Sequence, residues 1–110
     1  MILFDIEKIL KDEKSHRICE IHLNENCLPY VGYLVGNCVH SLTPLNKYKV
    51  LEHTTLLGII NKLEKLYNIN LDKDLSLVQA NGLKFIVVKG NLTTGISITL
   101  RKSLKKNIWL

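Results

Sequence analysis

The stretch at residues 82–101 constrains the fold of this chain more than any other, because it has the pattern of a β-hairpin. In its second arm, residues 96–101, three aliphatic residues alternate with Ser, Thr and Arg, as in a strand with one buried and one wet face. The first arm, residues 85–88, is apolar on both faces, and such a strand lies inside a sheet. The hairpin therefore predicts a sheet with further strands at its flanks and a helix over its apolar face.

Three short strands are predicted in the first half of the chain. Apolar and polar residues alternate over residues 18–23, and the Asn-Glu-Asn of residues 24–26 closes that strand. Residues 29–36 have the aromatic and β-branched content of a second strand, and Pro29 at its first position costs no ladder hydrogen bond. Residues 38–42 are expected to pair back as a third strand.

Two helices are predicted, one before and one after these strands. The first covers residues 2–15, where apolar side chains recur at helical spacing at Ile2, Leu3, Ile6, Ile9 and Leu10. Thr43 and Pro44 are expected to end the third strand and to start a long second helix. The apolar face of that helix extends over residues 48–67 and has Leu63 at its middle.

The remaining elements complete an α+β domain. Leu75, Leu77 and Gln79 open another strand, and Asn81 and Gly82 form a tight turn into the hairpin. The predicted order is αββ(β)αβββ, an antiparallel sheet with two helices of the PAS-like or profilin-like kind. Many functions share such a fold, so the order of elements does not determine the activity.

Length and composition predict one globular domain over residues 1–110. Hydrophobic residues make up 46% of the chain and charged residues 23%, which are ordinary values for a folded domain and unlike those of a disordered one. Polar residues interrupt the apolar stretches too often for a membrane-spanning helix, and Asp5 and Glu7 argue against a signal peptide. We expect a cytoplasmic protein without membrane insertion.

The net charge of +5 raises the alternative of a nucleic-acid partner. Several of the basic residues lie in short runs, which are typical of a solvated face, and no recognition motif accompanies them. These runs are at Lys8, Lys11 and Lys14 and at Arg101, Lys102, Lys105 and Lys106.

The cysteines and histidines include the residue types that bind zinc, namely Cys19, His22, Cys27, Cys38 and His40. Residues three apart in a strand point to opposite faces, however, so Cys19 and His22 are not expected to bind one ion. The odd number of cysteines argues for reduced thiols, which we expect to be buried as small apolar residues. No third group is placed to orient a Cys-His nucleophile, so we predict no catalytic residue, no metal and no cofactor.

Four short motifs, taken in order, resemble the N-terminal domain of the motor ATPases of type II secretion and type IV pili. In that family an opening helix leads to a strand that reads Asp-Ile-His and a hydrophobic residue, and Glu-Ile-His-Leu stands here at residues 20–23. A Pro-led strand that ends in Gly follows at residues 29–36, and Leu-Thr-Pro follows at residues 42–44. Leu-Arg ends the last strand at residues 100–101. The resemblance covers nearly the whole chain.

The departures from that family are equally specific. Family members continue into an ATPase domain with a Gly-x-x-x-x-Gly-Lys-Ser/Thr loop, and this sequence contains no such string. The family's hairpin carries arginines that reach a nucleotide, but the matching positions here are Ile86, Asn91 and Thr93. An arginine of the Pro-led strand is replaced near Gly32. Because none of these side chains supplies a guanidinium, the resemblance implies no nucleotide site in this chain.

The candidate partner-binding residues are His22, Tyr30, Tyr33, Arg101 and Trp109. The resemblance singles out His22 and Arg101; for His22 the alternatives are a satisfied histidine at a sheet edge and a contact with a partner domain. Tyr30 and Tyr33 point to opposite faces of their strand, so one is expected in the core and the other as an exposed anchor. Trp109 is expected either to dock onto the sheet or to stay exposed.

These observations favour a non-catalytic interaction or assembly domain, similar to the N-terminal module of secretion and pilus motors. Its expected partner is a motor ATPase domain or another copy of itself. One alternative is a small basic nucleic-acid-binding or regulatory protein of mobile-element origin. Another is a roadblock-like dimerising adapter, whose strands and long helix would have much the same pattern.

Overall fold

A computed structural model of the chain describes residues 18–35, 38–80, 82–90 and 95–102. These residues form six strands and one helix, in the order βββαβββ. The elements are β1 (Ile18–Asn24), β2 (Tyr30–Val35), β3 (Cys38–Pro44), α1 (His53–Tyr67), β4 (Leu75–Ala80), β5 (Leu83–Val88) and β6 (Ser97–Lys102).

The six strands form one antiparallel sheet in the order β3-β2-β1-β6-β5-β4. Each half of the chain makes a three-stranded meander, and the two meanders join where β1 pairs with β6 at the centre. Helix α1 connects β3 at one edge to β4 at the other. The α+β class and the antiparallel sheet are confirmed, with one helix in the described residues instead of two. The helix predicted over residues 2–15 lies outside them.

Helix α1 covers one face of the sheet. Its buried residues Leu56, Ile59, Ile60 and Leu63 have the i, i+3, i+4, i+7 spacing of one helical stripe. They share a core cluster with Ile21, Leu23, Val31, Phe85, Val87, Ile98 and Leu100 from the four inner strands. The predicted alternation in β6, the inner position of β5 and the burial of Leu63 are all confirmed.

The predicted start of the long helix is wrong. Thr43 and Pro44 belong to β3, and α1 begins only at His53. Pro44 is tolerated because β3 is an edge strand, where a missing N–H need not break a ladder. Leu51 is then held outside the helix by two long-range bonds: its N–H donates to Cys27 O and its carbonyl accepts from Asn26 N.

The predicted turn between β4 and β5 is confirmed where the structure describes it. The strands register from Leu75 opposite Val88 to Ala80 opposite Leu83, which leaves a two-residue loop. Gly82 in that loop has φ +77°, a left-handed conformation that favours glycine. Asn81 lies outside the described residues.

Candidate protein-binding face

The sheet face opposite α1, called the outer face below, carries the candidate site. The strand register aligns its side chains in rows, such as the row of Leu77, Ile86, Thr99, His22 and Tyr30 from β4 to β2. The outer face consists of Glu20, His22, Asn24, Tyr30, Leu75, Leu77, Gln79, Lys84, Ile86, Val88, Ser97, Thr99 and Arg101. Polar side chains occupy the half over β1, β2 and β6, and apolar ones dominate over β4 and β5.

A buried carboxylate organises the polar half. Glu20 is only 5% exposed, and its two oxygens have separate partners. Arg101 Nε donates to Glu20 Oε2 at 2.9 Å from the neighbouring strand β6, and His22 Nε2 donates to Glu20 Oε1 at 2.9 Å. Because both bonds involve a charged acceptor, they hold the Arg101 and His22 side chains in fixed positions on the face.

His22 and Tyr30 continue this network across β2. Their rings are stacked, with centroids 4.7 Å apart and planes within 9°. Asn24 Nδ2 donates to the Tyr30 hydroxyl at 3.2 Å, and Ser97 Oγ donates to Asn24 Oδ1 at 2.7 Å. The polar half is therefore a connected set of side chains whose geometry is ordered before any partner arrives.

The hydrogen bonds decide the protonation of Glu20. Burial alone raises the pKa of the Glu20 carboxyl, but the bonds from His22 and Arg101 outweigh burial and leave this pKa below its ordinary value of 4.5. Glu20 is therefore a carboxylate at neutral pH. Its charge offsets that of Arg101, whose side chain is 47% exposed and presents the rest of its guanidinium to solvent.

The apolar half lies at the β4 edge. Leu75 and Leu77 are 56% and 67% exposed, and they stand opposite Val88 and Ile86 on β5. Val88 is also exposed, so four aliphatic side chains form one contiguous patch. Clustered exposed apolar side chains on a folded domain, unlike scattered single ones, mark interaction surfaces.

A positive charge borders the apolar patch. Lys84 lies next to Ile86 along β5 and directly opposite Arg101 on β6. Like charges in such a pair repel, and only Arg101 has an acidic partner within the described part of the chain. The outer face therefore combines an aliphatic patch with an excess positive charge at one end.

The structure brings together three of the five predicted site residues. His22, Tyr30 and Arg101 all belong to the outer-face network. His22 is not at a sheet edge as one alternative assumed, because β1 is a central strand. Tyr33 packs against the core cluster, so Tyr30 is the outward-facing one of the two tyrosines. Trp109 lies outside the described residues.

Sequence reasoning missed Glu20 and the apolar patch. Glu20 alternates with Ile21, which placed Glu20 on a polar face. No local signal showed that β6 would pair with β1 and bury the Glu20 carboxylate. Leu75 and Leu77 alternate with Ser76 and Val78, and the pattern alone does not show which pair faces the core. The observed register buries Ser76 and exposes both leucines.

The cysteines give a mixed outcome. Cys19 is buried as predicted, at a register shift in β1, and its Sγ lies 3.5 Å from Gly32 O as a donor. Burial, with a smaller effect of the Glu20 charge, raises the pKa of the Cys19 thiol, so it stays protonated and unreactive. Cys27 is exposed, contrary to the prediction. The side chains of Cys38 and His40 are not among those that the structure describes.

Two further properties of the described residues bear on the class of site. No group of three or more His, Cys, Asp or Glu among them is arranged to hold a metal ion. The one helix that these residues form is not long and apolar enough to span a bilayer.

The chain matches no family model, and no curated protein matches it significantly.

Proposed function

We propose that this chain is a non-catalytic interaction or assembly domain that binds a partner protein through the outer face of its sheet. The observation that carries the proposal is the division of that face into an aliphatic patch and an ordered polar network. Protein interfaces combine a desolvated apolar centre with polar and charged groups that set orientation. The resemblance to secretion and pilus motors makes a motor ATPase domain the first candidate partner.

The charges on the outer face define the chemistry of the partner. Lys84 and Arg101 lie side by side at one end of the patch, and Glu20 offsets only one of them. An acidic group on the partner would lie against this excess charge while apolar side chains cover Leu75, Leu77 and Val88. Such complementarity speeds association and excludes partners of the wrong charge.

The non-catalytic part of the proposal has support from the state of the reactive groups. The Cys19 thiol is buried with a raised pKa, which removes the thiolate that a nucleophile needs. Both oxygens of Glu20 are engaged by His22 and Arg101, so this carboxylate is held as a structural anion.

Affinity capture with face-specific variants tests the proposal. Tagged chain is incubated with an extract of the cells that encode it, and the retained proteins are compared between variants. We expect a protein retained by the wild type to be lost with Leu77→Asp and with Lys84→Glu, which change the two halves of the contact. Leu66→Asp is the control, because Leu66 is similarly exposed at 53% but lies on α1.

The proposal is tested by whether retention of a protein changes when the outer face is altered. A retained protein that is equally bound by all the variants would contradict the proposal. Recovery of nucleic acid, with no protein that responds to Leu77→Asp, would favour the alternative of a basic nucleic-acid-binding protein.

A further inference from the structure

We propose that two copies of this chain pair through the edge strand β4, antiparallel and centred on Ser76. This deepens the proposed interaction function by naming a second copy as the partner of one particular edge. β4 is the last strand of the sheet, and among the described residues no strand pairs with its outer side. Its sequence, Leu-Ser-Leu-Val-Gln-Ala, contains no charge and no proline. Charged side chains and proline are two of the devices by which monomeric proteins protect such an edge.

The ladder with β5 determines which backbone groups of β4 face outward. Lys89 N donates to Asp74 O, and residues 74 and 89 are opposite each other in the register that the two strands share. Hydrogen-bonded pairs alternate along an antiparallel ladder, so Ser76 and Val78 direct their backbone groups to β5. Leu75, Leu77 and Gln79 therefore direct their N–H and C=O groups to the open edge.

A second copy must align the backbone N–H and C=O groups of its own open edge with those of the first copy. In a twofold antiparallel pairing centred on Ser76, Leu75 lies opposite Leu77 of the other copy and Leu77 lies opposite its Leu75. In both pairs the two residues direct their backbone N–H and C=O groups to the open edge, so each pair can be hydrogen-bonded. Because Leu75 and Leu77 are the same residue type, both of these symmetry-related pairs are Leu–Leu pairs.

The backbone allows several antiparallel registers, and the buried hydroxyl of Ser76 favours the one centred on Ser76. Ser76 Oγ is buried and has no hydrogen-bond partner within the described residues. An orphaned buried polar group of this kind costs stability until it finds a partner. In the pairing centred on Ser76, the two Ser76 residues form a non-hydrogen-bonded pair, whose side chains are the closest in a ladder. A χ1 rotation that turns each Oγ towards the edge would let one hydroxyl donate and the other accept.

An open cleft and two exposed leucines lie at this edge. An open cleft of ≈ 290 Å³ lies between the loop residues Asn70, Asp72 and Lys73 and the β4 residues 75–78. Exposed Leu75 and Leu77 would gain Leu–Leu contacts across the pair on the outer face. Strand pairing alone buries less than the roughly 1,000 Å² of a stable interface, so we expect a weak, reversible dimer.

Disulfide trapping tests the register directly. In a background with Cys27→Ser and Cys38→Ser, which keeps only the buried Cys19, one further Cys is introduced at Ser76, Leu77 or Val78, and each variant is oxidised mildly. Opposed residues of a non-hydrogen-bonded pair have Cα atoms about 4.5 Å apart, within the range of a disulfide. The two Leu77 residues would be diagonal neighbours, whose Cα atoms are about 7–8 Å apart. This distance is beyond the range of a disulfide. We expect Ser76→Cys to form the covalent dimer several-fold more than Leu77→Cys or Val78→Cys.

The wild-type chain supplies a second measurement. In sedimentation equilibrium we expect a reversible monomer–dimer transition, which Ser76→Ala should weaken and Leu77→Lys should abolish. Trapping at Leu77 in preference to Ser76 would overturn the proposed register. A wild type that stays monomeric at submillimolar concentration, with no trapping at Ser76, would overturn the dimer, and would show that the edge is covered in some other way. A monomer that still binds a protein through the outer face would leave the proposed function intact.

Discussion

Arg101 Nε lies 2.9 Å from Glu20 Oε2, and this bond joins the first and last strands of the described sheet across a sequence separation of 81 residues. Glu20 is buried, whereas almost half of the Arg101 side chain is exposed. The pair thus fixes a cation on the outer face, and the buried Glu20 carboxylate compensates the charge of that cation. His22 completes the arrangement from the same strand as Glu20.

Glu20→Gln should destabilise the domain at neutral pH. The amide keeps the shape of the side chain but loses the charge that His22 and Arg101 bind. Because Arg101 is half exposed, water can replace part of the lost interaction. We expect a loss of about 1–3 kcal/mol in the free energy of unfolding, measured by urea denaturation. Glu52→Gln is the control, because that exposed side chain makes no cap hydrogen bond.

The same variant has a defined pH dependence. The pKa of Glu20 is lower in the folded state than its ordinary value of 4.5, so its stabilising contribution is fully present above that value. The contribution is lost as pH falls through the lower, folded-state pKa. The stability difference between wild type and Glu20→Gln should therefore shrink below pH 4.5. A difference that grew on acidification would contradict this assignment of the charge.

Leu63→Ala should remove a large part of the domain's stability. Leu63 is 1% exposed at the C-terminal end of the buried α1 stripe, and its truncation leaves a cavity against the sheet. We expect a loss of about 2–5 kcal/mol in the free energy of unfolding. Leu66→Ala on the exposed side of the same helix should change it by less than about 0.5 kcal/mol. Equal effects of the two substitutions in thermal or urea unfolding would mean that the packed face of α1 is assigned wrongly.

Two glycine substitutions should change stability in opposite directions. Gly82→Ala forces a side chain into the left-handed region at φ +77° and should cost about 1–2 kcal/mol. Gly58 lies inside α1, and an added Cβ there meets nothing within 4 Å. Gly58→Ala should therefore raise stability by about 0.5–1 kcal/mol. Thermal midpoints of the two variants check both signs, and a stabilising Gly82→Ala would refute the turn geometry.

Nucleic-acid binding should be weak and salt-sensitive. The described lysines are distributed over the helix, the sheet and the loops before α1, after α1 and after β5, and Arg101 is already paired with Glu20. We expect only sequence-independent binding of duplex DNA, with a log–log salt slope of roughly −0.9 per phosphate contact. Fluorescence anisotropy should show it vanish near ~150 mM salt, where exposed charges are screened within about 8 Å. Sequence-selective binding that survives this salt would support the nucleic-acid alternative instead.

Local patterns were enough to predict the elements that bury one face along their own length. The alternation around Ile98 and the two-sided run around Phe85 identified β6 and β5, and the helical stripe placed Leu63 in the core. Tyr30 and Tyr33 were separated correctly because a strand turns successive odd and even positions to opposite faces.

Features that depend on distant partners could not be predicted in this way. The helix begins nine residues after Pro44, at His53, because Leu51 first bonds to the β1–β2 loop at Asn26 and Cys27. The burial of Glu20 depends on which strand pairs with β1, and the pairing with β6 joins opposite ends of the chain. Such contacts depend on the order of strands in the sheet, which the periodicity of a single segment does not predict.

Photo-crosslinking from Ile86 tests most directly whether the outer face binds a partner. A benzoylphenylalanine at this position would lie in the apolar half of the face, one strand inside the β4 edge. The same group at Leu66 on α1 is the matched control. We expect a discrete crosslink in cells from position 86 to another protein, identified by mass spectrometry, and none from position 66. Equal crosslinking from both positions, or crosslinking from position 66 alone, would contradict partner binding through the outer face.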